Sequence, residues 1–198
     1  MTDNDAMTLR DELVRYYRWL RHYGYNDSHS GNASVRDGDT VWVTPTGACA
    51  DTLQAGQLVA CDIHGACGQG ASLDAPLHVH VYQQNPQARA VLHSHGPYSV
   101  ALTLDGGDFT PVDFEGQLYF RKVPVITIPY ADYLRDAPLR VAAILAGHPV
   151  GIVRGHGVYA CGASLDLAYK WTSSLEQSAK TAFIARQAGT INKASGMS

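Results

Sequence analysis

Residues 88–95 read ARAVLHSH, a compact apolar run that ends in two histidines separated by one serine. The run 88–92 is typical of a buried strand, and the histidines follow where that strand ends. Side chains alternate along a strand with a period of two, so His93 and His95 are expected on the same face. Two neutral imidazoles would then point toward one place.

A third histidine, His156, lies between two glycines in a turn that joins the predicted strands 149–153 and 158–161. Flanking glycines let the backbone approach a ligand closely while the ring points outward. His93, His95 and His156 therefore form a plausible facial metal site with positions left for water or substrate, as zinc catalysis requires. On these residues alone, a polar strand end without a metal stays open as the alternative.

A second pair of alternate histidines, His78 and His80, falls inside the predicted helix 75–84. Residues two apart on a helix point about 200° away from each other around its axis, so this pair cannot share a metal. We interpret both as structural, although His78 could support the metal site from behind its ligands.

Helical and strand patterns mix along the chain without strict alternation, which predicts an α/β fold of the α+β type. We expect one domain over residues 1–189, followed by a polar C-terminal tail over 190–198. The predicted helices are 8–23, 75–84, 97–104, 139–146 and 164–187, and the predicted strands are 33–36, 40–43, 58–63, 88–92, 124–128, 149–153 and 158–161.

Composition excludes several classes of protein. Of the 198 residues, 45% are hydrophobic and 17% charged, which argues against intrinsic disorder. The net charge of −3 leaves no broad basic surface for nucleic acid. No run approaches the roughly 18 apolar residues of a membrane span, and the N-terminus lacks the pattern of a secretory signal. We therefore expect a cytoplasmic protein without a nucleic-acid or membrane partner.

Five short motifs give the chain a specific resemblance. They are GNASVR at 31–36, TPTG at 44–47, SLDAPLH at 72–78, AVLHSH at 90–95 and GHGV at 155–158. In this order they closely resemble the class II aldolase/adducin family, over about residues 8–187. The resemblance implies a three-layer fold, with a central, mostly antiparallel sheet flanked by helices, and a homotetramer with active sites between subunits.

The resemblance also implies a divalent metal held by His93, His95 and His156. Zinc is usual in the family, and manganese, iron, cobalt or nickel are the alternatives. In the family's aldolases a glutamate acts as acid/base at the position of Asp74, whereas its epimerases have a metal-side aspartate there. On sequence grounds Asp74 could equally cap a helix, with Pro76 in the first turn, so its role as acid/base, metal ligand or cap stays open.

The family binds substrate phosphate through residues that match Gly31, Asn32, Thr46, Gly47 and Ser72 in this chain. Two positions depart from the pattern. Leu73 replaces a second serine, and His29 stands where the aldolases often have threonine. A leucine cannot donate a hydrogen bond, so a phosphate oxygen would lose a partner unless His29 supplies one.

The resemblance also implies a second acid/base in the segment 113–119, where Glu115 and Tyr119 are the catalytic candidates, with Asp113 as a further one. Each could equally be a solvated group or a subunit contact.

The function implied is a metal-dependent lyase. It would cleave a carbon–carbon bond of a small hydroxy-carbonyl or sugar-phosphate-like substrate through a metal-stabilised enediolate. Decarboxylation, dehydration or epimerisation on the same scaffold are alternatives, and three histidines also suit an iron(II) oxygenase. A non-catalytic, adducin-like interaction module is disfavoured because all three histidines are present.

Overall fold

A seven-stranded sheet forms the middle layer of the protein, described by a computed structural model over residues 7–191. Its strand order is β3-β2-β1-β4-β7-β6-β5, and every neighbouring pair is antiparallel except β5 and β6. The strands are β1 (Asn32–Asp37), β2 (Thr40–Val43), β3 (Val59–Asp62), β4 (Ala90–Ser94), β5 (Val125–Ile126), β6 (Val150–Val153) and β7 (Gly157–Gly162).

Helices cover both faces of the sheet, which confirms the three-layer α/β fold. They are α1 (Leu9–His22), α2 (Ala75–Gln84), α3 (Pro97–Leu102), α4 (Phe114–Tyr119), α5 (Tyr133–Leu145) and α6 (Leu165–Gln187). Helices α2 and α5 pack on one face, and α1 and α6 pack on the other. Short 3₁₀ turns lie at Ala55–Gln57 and Tyr130–Asp132.

Strand β4 is buried along its whole length, as its apolar sequence predicts. Val91 packs in the cluster formed with α2 and α5, whereas Ala90 and Leu92 pack with α1 and the start of α6. Burial of both faces fixes the register of β4, because a slip by one residue would exchange the two faces. The positions of the histidines that follow are fixed with it.

Several predicted boundaries were wrong. Helix α5 begins at Tyr133 rather than at 139, so Pro138 lies inside this helix instead of opening it. Strand β4 extends to Ser94, β5 has only two residues, and α4 was not predicted. Residues 1–6 and 192–198, with most of the predicted tail, lie outside the described residues, so the division at 189 stays a prediction. Within residues 7–191, no helix combines the length and apolar character needed to cross a membrane.

Gly157 opens β7 where two histidines pass close to it. An added Cβ would lie 2.3 Å from the Ser94 carbonyl oxygen, 2.8 Å from the His95 ring and 2.9 Å from the His93 ring. We expect Gly157→Ala to lower the free energy of unfolding by about 1–3 kcal/mol, measured by urea denaturation. Gly147→Ala is the matched control, since nothing lies within 4 Å of its added Cβ. Equal stability of the two variants would contradict this packing.

Candidate metal centre

The three predicted histidines converge at one end of the sheet. His93 is in β4, His95 follows that strand, and His156 lies in the turn between β6 and β7. The Nε2 atom of His93 is 2.9 Å from the Nε2 atoms of both His95 and His156. In residues 7–191 this is the one cluster of histidine, cysteine or acidic side chains close enough to share a metal ion.

The protonation of these rings suits a cation. His93 donates from Nδ1 to the Val158 carbonyl oxygen at 3.0 Å, which leaves the Nε2 lone pair free. Burial lowers the pKa of His93 well below its usual value, and it also lowers the pKa values of His95 and His156. Three neutral imidazoles whose nitrogens meet at one point fit Zn²⁺ and other first-row divalent ions.

Three further residues, which the sequence interpretation missed, hold the histidines in place. The Asn26 side chain accepts from the His95 backbone N–H at 2.8 Å and donates to the His93 carbonyl oxygen at 3.3 Å. The Tyr159 ring stacks on His93 with centroids 4.0 Å apart, and the Tyr133 ring stacks on His156 at 4.6 Å. These contacts fix both the backbone and the ring planes of the metal-binding group.

The Asp74 carboxylate lies beside this group, with Oδ2 3.9 Å from His93 Nε2. Oδ2 accepts from the Asn32 amide at 2.9 Å and the Tyr159 hydroxyl at 2.8 Å, and Oδ1 accepts from the Tyr133 hydroxyl at 3.0 Å. Asp74 occupies the N-cap position of α2, yet its side chain makes no capping hydrogen bond. Asp74 is therefore the N-cap residue of α2 by position only, and its carboxylate is directed into the site instead of capping the helix.

The charge of Asp74 follows from its surroundings. Burial alone would raise its pKa, but the hydrogen bonds from Asn32 and Tyr159 favour the ionised form, and the net direction is a lowered pKa. Burial raises the pKa values of Tyr133 and Tyr159, which keeps both hydroxyls protonated as donors. Asp74 is thus an ionised carboxylate next to the three converging imidazoles.

A cleft of about 490 Å³ opens beside Asp74 and the histidines. Neither lysine nor arginine is among its lining residues, so an anion in the cleft would meet neutral donors. Three apolar side chains, Leu73, Tyr130 and Leu134, are exposed at its mouth. All six predicted substrate-binding residues line it: His29, Gly31, Asn32, Thr46, Gly47 and Ser72.

The remaining catalytic candidates lie elsewhere. Glu115 and Tyr119 are on α4, which packs against α6, and neither lines the cleft of its own chain. The Tyr119 ring instead contacts Trp171 on α6, with centroids 5.8 Å apart. One chain therefore brings together the metal-binding and substrate-binding candidates and Asp74, but not these two residues.

The model of the class II aldolase and adducin N-terminal domain matches residues 11–183. The chain belongs to the class II aldolase and adducin family. This membership confirms the family resemblance of the five motifs. Class II aldolases depend on a divalent metal, and the three histidines are a possible site for it.

Relatives within the family carry out different reactions. The 3-oxo-tetronate 4-phosphate decarboxylase of Escherichia coli is 32% identical, covering 89% of this chain and 87% of its own length. The methylthioribulose-1-phosphate dehydratase of Marinobacter nauticus is 30% identical, and the match covers 80% of this chain and 84% of the dehydratase. The structure of L-fuculose-1-phosphate aldolase from Thermus thermophilus is 30% identical in sequence and has a TM-score of 0.85. The match covers 90% of this chain and 94% of the aldolase chain. The protein is thus an enzyme of the class II aldolase type.

The metal site can be tested by elemental analysis of protein purified without a chelator or histidine tag. We expect about one divalent metal ion per chain, and its loss in His156→Ala, because a site with two imidazoles binds first-row metals much more weakly. His80→Ala, a histidine on α2 whose ring bonds to Gln83, should keep the metal. Stoichiometric metal in His156→Ala would refute the proposed ligand set.

His78 should make stability depend on pH. It is fully buried, and burial lowers its pKa to about 4 from the usual 6.5. Between these values the unfolded chain binds a proton that the folded chain does not, so stability falls as pH drops from 6.5 toward 4. We expect the free energy of unfolding to fall by up to about 3 kcal/mol more in the wild type than in His78→Gln.

This difference is measured by urea denaturation at several pH values with a chelator present, so that metal release does not contribute. Parallel stability curves for the two proteins would contradict the buried, neutral state of His78.

Proposed function

We propose that this protein is a divalent-metal-dependent lyase that cleaves a carbon–carbon bond in a small hydroxy-carbonyl substrate, such as a sugar phosphate. The observation that carries the proposal is the ionised Asp74 carboxylate 3.9 Å from the nitrogen at which three imidazoles converge. A base next to a Lewis-acid site is the arrangement that carbanion chemistry beside a carbonyl requires.

His93, His95 and His156 would hold the ion, with zinc as our first choice and manganese, iron, cobalt or nickel as alternatives. A bound divalent ion would polarise the substrate carbonyl and stabilise the negative charge that develops as the bond breaks. The described residues would supply proton transfer and substrate orientation. Asp74 moves the proton, and the neutral donors around the cleft orient the substrate and its anionic group.

In aldol cleavage the substrate hydroxyl loses its proton as the carbon–carbon bond breaks, and a proton later adds to the carbon that is left with the electron pair. Asp74 is the acidic side chain in the described cleft, so we assign it this proton. Aspartate is one methylene shorter than the glutamate of the family's aldolases, which shortens its reach by about an ångström.

Decarboxylation is the second candidate reaction. It is favoured by the 32% identity to the 3-oxo-tetronate 4-phosphate decarboxylase and by the shorter side chain of Asp74 compared with glutamate. Loss of CO₂ from a 3-oxo acid breaks a carbon–carbon bond without first removing a hydroxyl proton. Asp74 would then only have to support protonation of the product. The same metal-binding residues and cleft serve both reactions, and the products distinguish them.

We further propose a homotetramer in which α4 of a neighbouring subunit completes the cleft. Two apolar side chains on this helix, Phe114 and Leu118, are 80% and 64% exposed. Burial of both in a subunit interface would bring Glu115 and Tyr119 into that interface. The family resemblance implies active sites between subunits, so we propose that these two residues supply the second acid/base to a neighbouring cleft. The cytoplasmic location stays a prediction.

The proposed function is tested by assaying metal-loaded protein with L-fuculose 1-phosphate and 3-oxo-tetronate 4-phosphate, and measuring aldehyde and CO₂ release. We expect Asp74→Asn to lower kcat by about 10²–10⁴-fold, because the amide cannot accept a proton, while metal content is unchanged. Asp37→Asn, at the exposed end of β1, should behave as the wild type. Full activity of Asp74→Asn would rule out Asp74 as the base. If no metal-loaded form released aldehyde or CO₂, lyase activity on these two substrates would be ruled out.

Leu73 should weaken binding of a phosphate group, because serine at this position could donate one more hydrogen bond to it. We expect Leu73→Ser to lower KM for a phosphorylated substrate by about 3- to 10-fold, and to leave KM for the unphosphorylated analogue unchanged. Leu139→Ser on α5 controls for the loss of an exposed leucine away from the cleft. An equal change in KM for both substrates would argue against a phosphate near Leu73.

A further inference from the structure

A continuous line of hydrogen bonds runs from the interior of the fold to Asp74. The Tyr82 hydroxyl is 2.7 Å from Ser34 Oγ, which is 2.6 Å from His78 Nδ1. The other ring nitrogen of His78, Nε2, is 2.6 Å from the Asn32 side-chain oxygen. The Asn32 amide nitrogen then donates to Asp74 Oδ2 at 2.9 Å. We call Tyr82, Ser34 and His78 the relay.

The relay is sealed from solvent. Ser34 and His78 are 0% exposed, Tyr82 is 1% exposed, and the Asn32 side chain that they reach is 8% exposed. Water cannot substitute for a missing partner at such positions, so an unpaired donor or acceptor would carry its full desolvation cost. Each donor in the line must therefore face an acceptor, and each acceptor must face a donor.

This condition gives the relay a single direction. An ionised carboxylate only accepts, so Asn32 must present its NH₂ group to Asp74 and its oxygen to His78. His78 must then carry its proton on Nε2, which leaves Nδ1 as an acceptor. Burial lowers the pKa of His78 to about 4, so the ring has only this one proton. Ser34 consequently donates to His78 and accepts from Tyr82.

We propose that Tyr82, Ser34 and His78 are positioning residues, which hold the Asn32 amide with its NH₂ group toward Asp74 and so fix the lone pair of Asp74 that serves the reaction. The inference rests on the proposed function, because it assigns the proton-accepting oxygen of the same base. Ser34 and His78 lie in two of the five motifs, but Tyr82 and the order of the hydrogen bonds come from the structure alone.

The assignment comes from counting acceptor positions on Asp74. A carboxylate offers about four lone-pair positions, two on each oxygen. Oδ2 faces the Asn32 amide and the Tyr159 hydroxyl, whereas Oδ1 faces only the Tyr133 hydroxyl among the described residues. The two hydroxyls also contact each other, and each has a single proton, so Oδ1 receives at most one donor from them. One position on Oδ1 is left for a substrate proton. If the Asn32 amide turned over, its oxygen would face Oδ2, and the carboxylate would lose the contact that holds it.

The first test does not depend on a substrate. Long-range ¹H–¹⁵N NMR of histidine side chains distinguishes the two neutral tautomers and the charged ring, and it is applied to the full zinc-loaded chain. We expect His78 to be neutral with its proton on Nε2, the opposite of His93, whose Nδ1 faces the Val158 carbonyl. A proton on Nδ1 of His78, or on both nitrogens, overturns the proposal.

The second test uses matched substitutions of His78. The NH₂ group of glutamine in His78→Gln can donate to Asn32 and its oxygen can accept from Ser34, so this variant preserves both hydrogen bonds of the relay. His78→Leu breaks them with an apolar group of similar size. We expect kcat to fall about 10- to 100-fold in His78→Leu and to stay within about threefold of the wild type in His78→Gln. KM and zinc content should be unchanged in both.

Equal kcat for His78→Leu and His78→Gln overturns the positioning role. Should His78→Leu fail to fold, Tyr82→Phe replaces it, because it removes only the terminal hydroxyl, and here we expect a two- to tenfold lower kcat with unchanged KM and zinc content. An unchanged kcat in Tyr82→Phe also counts against the relay. Absence of lyase activity in the wild type would overturn only the proposed function. The NMR measurement of the His78 tautomer would still test the order of hydrogen bonds in the relay.

Discussion

The antiparallel pairing of β4 with β7 is the constraint on which the site depends. It sets His93 opposite Tyr159 and Ser94 opposite Val158, so the turn before β7 lies at the end of β4. Because His156 is in that turn, residues about sixty positions apart in the chain meet at hydrogen-bond distance. Burial of β4 on both faces holds this register, and Gly157 lets the two backbones approach closely enough.

Electrostatic balance explains the rest of the site. A buried, ionised Asp74 has three neutral donors around it and no lysine or arginine among the residues that line the described cleft. Neutral donors favour the charged form without cancelling its charge, so a divalent cation at the neighbouring imidazoles complements it well. The same donors keep the carboxylate from turning, and two of them, Tyr133 and Tyr159, also stack on metal-binding rings. The proposed base and the three histidines proposed to hold the metal are therefore held by the same side chains.

The sequence predicted those parts of the site that depend on local pattern. The spacing of His93 and His95 at a strand end, the glycines around His156 and the helix that holds His78 are all short-range features. The contacts that complete the site are long-range, since Asn26 reaches a residue 69 positions away and Tyr133 one 59 positions away. Single-sequence patterns carry no signal for such pairs. Pro138 also hid the start of α5, and with it the position of Tyr133, because a proline is common at the first position of a helix and so predicts that the helix opens there. Glu115 and Tyr119 stay predictions, as they would act in a neighbouring chain's cleft.

The most direct measurement of the central claim is the X-ray absorption spectrum of the protein loaded with one equivalent of zinc. The structure predicts a first coordination sphere of three nitrogen ligands with the scattering pattern of imidazole rings, completed by light-atom ligands without sulfur. A spectrum with sulfur ligands from the cysteines, or with fewer than three imidazoles, would contradict the account of how this fold assembles its metal centre.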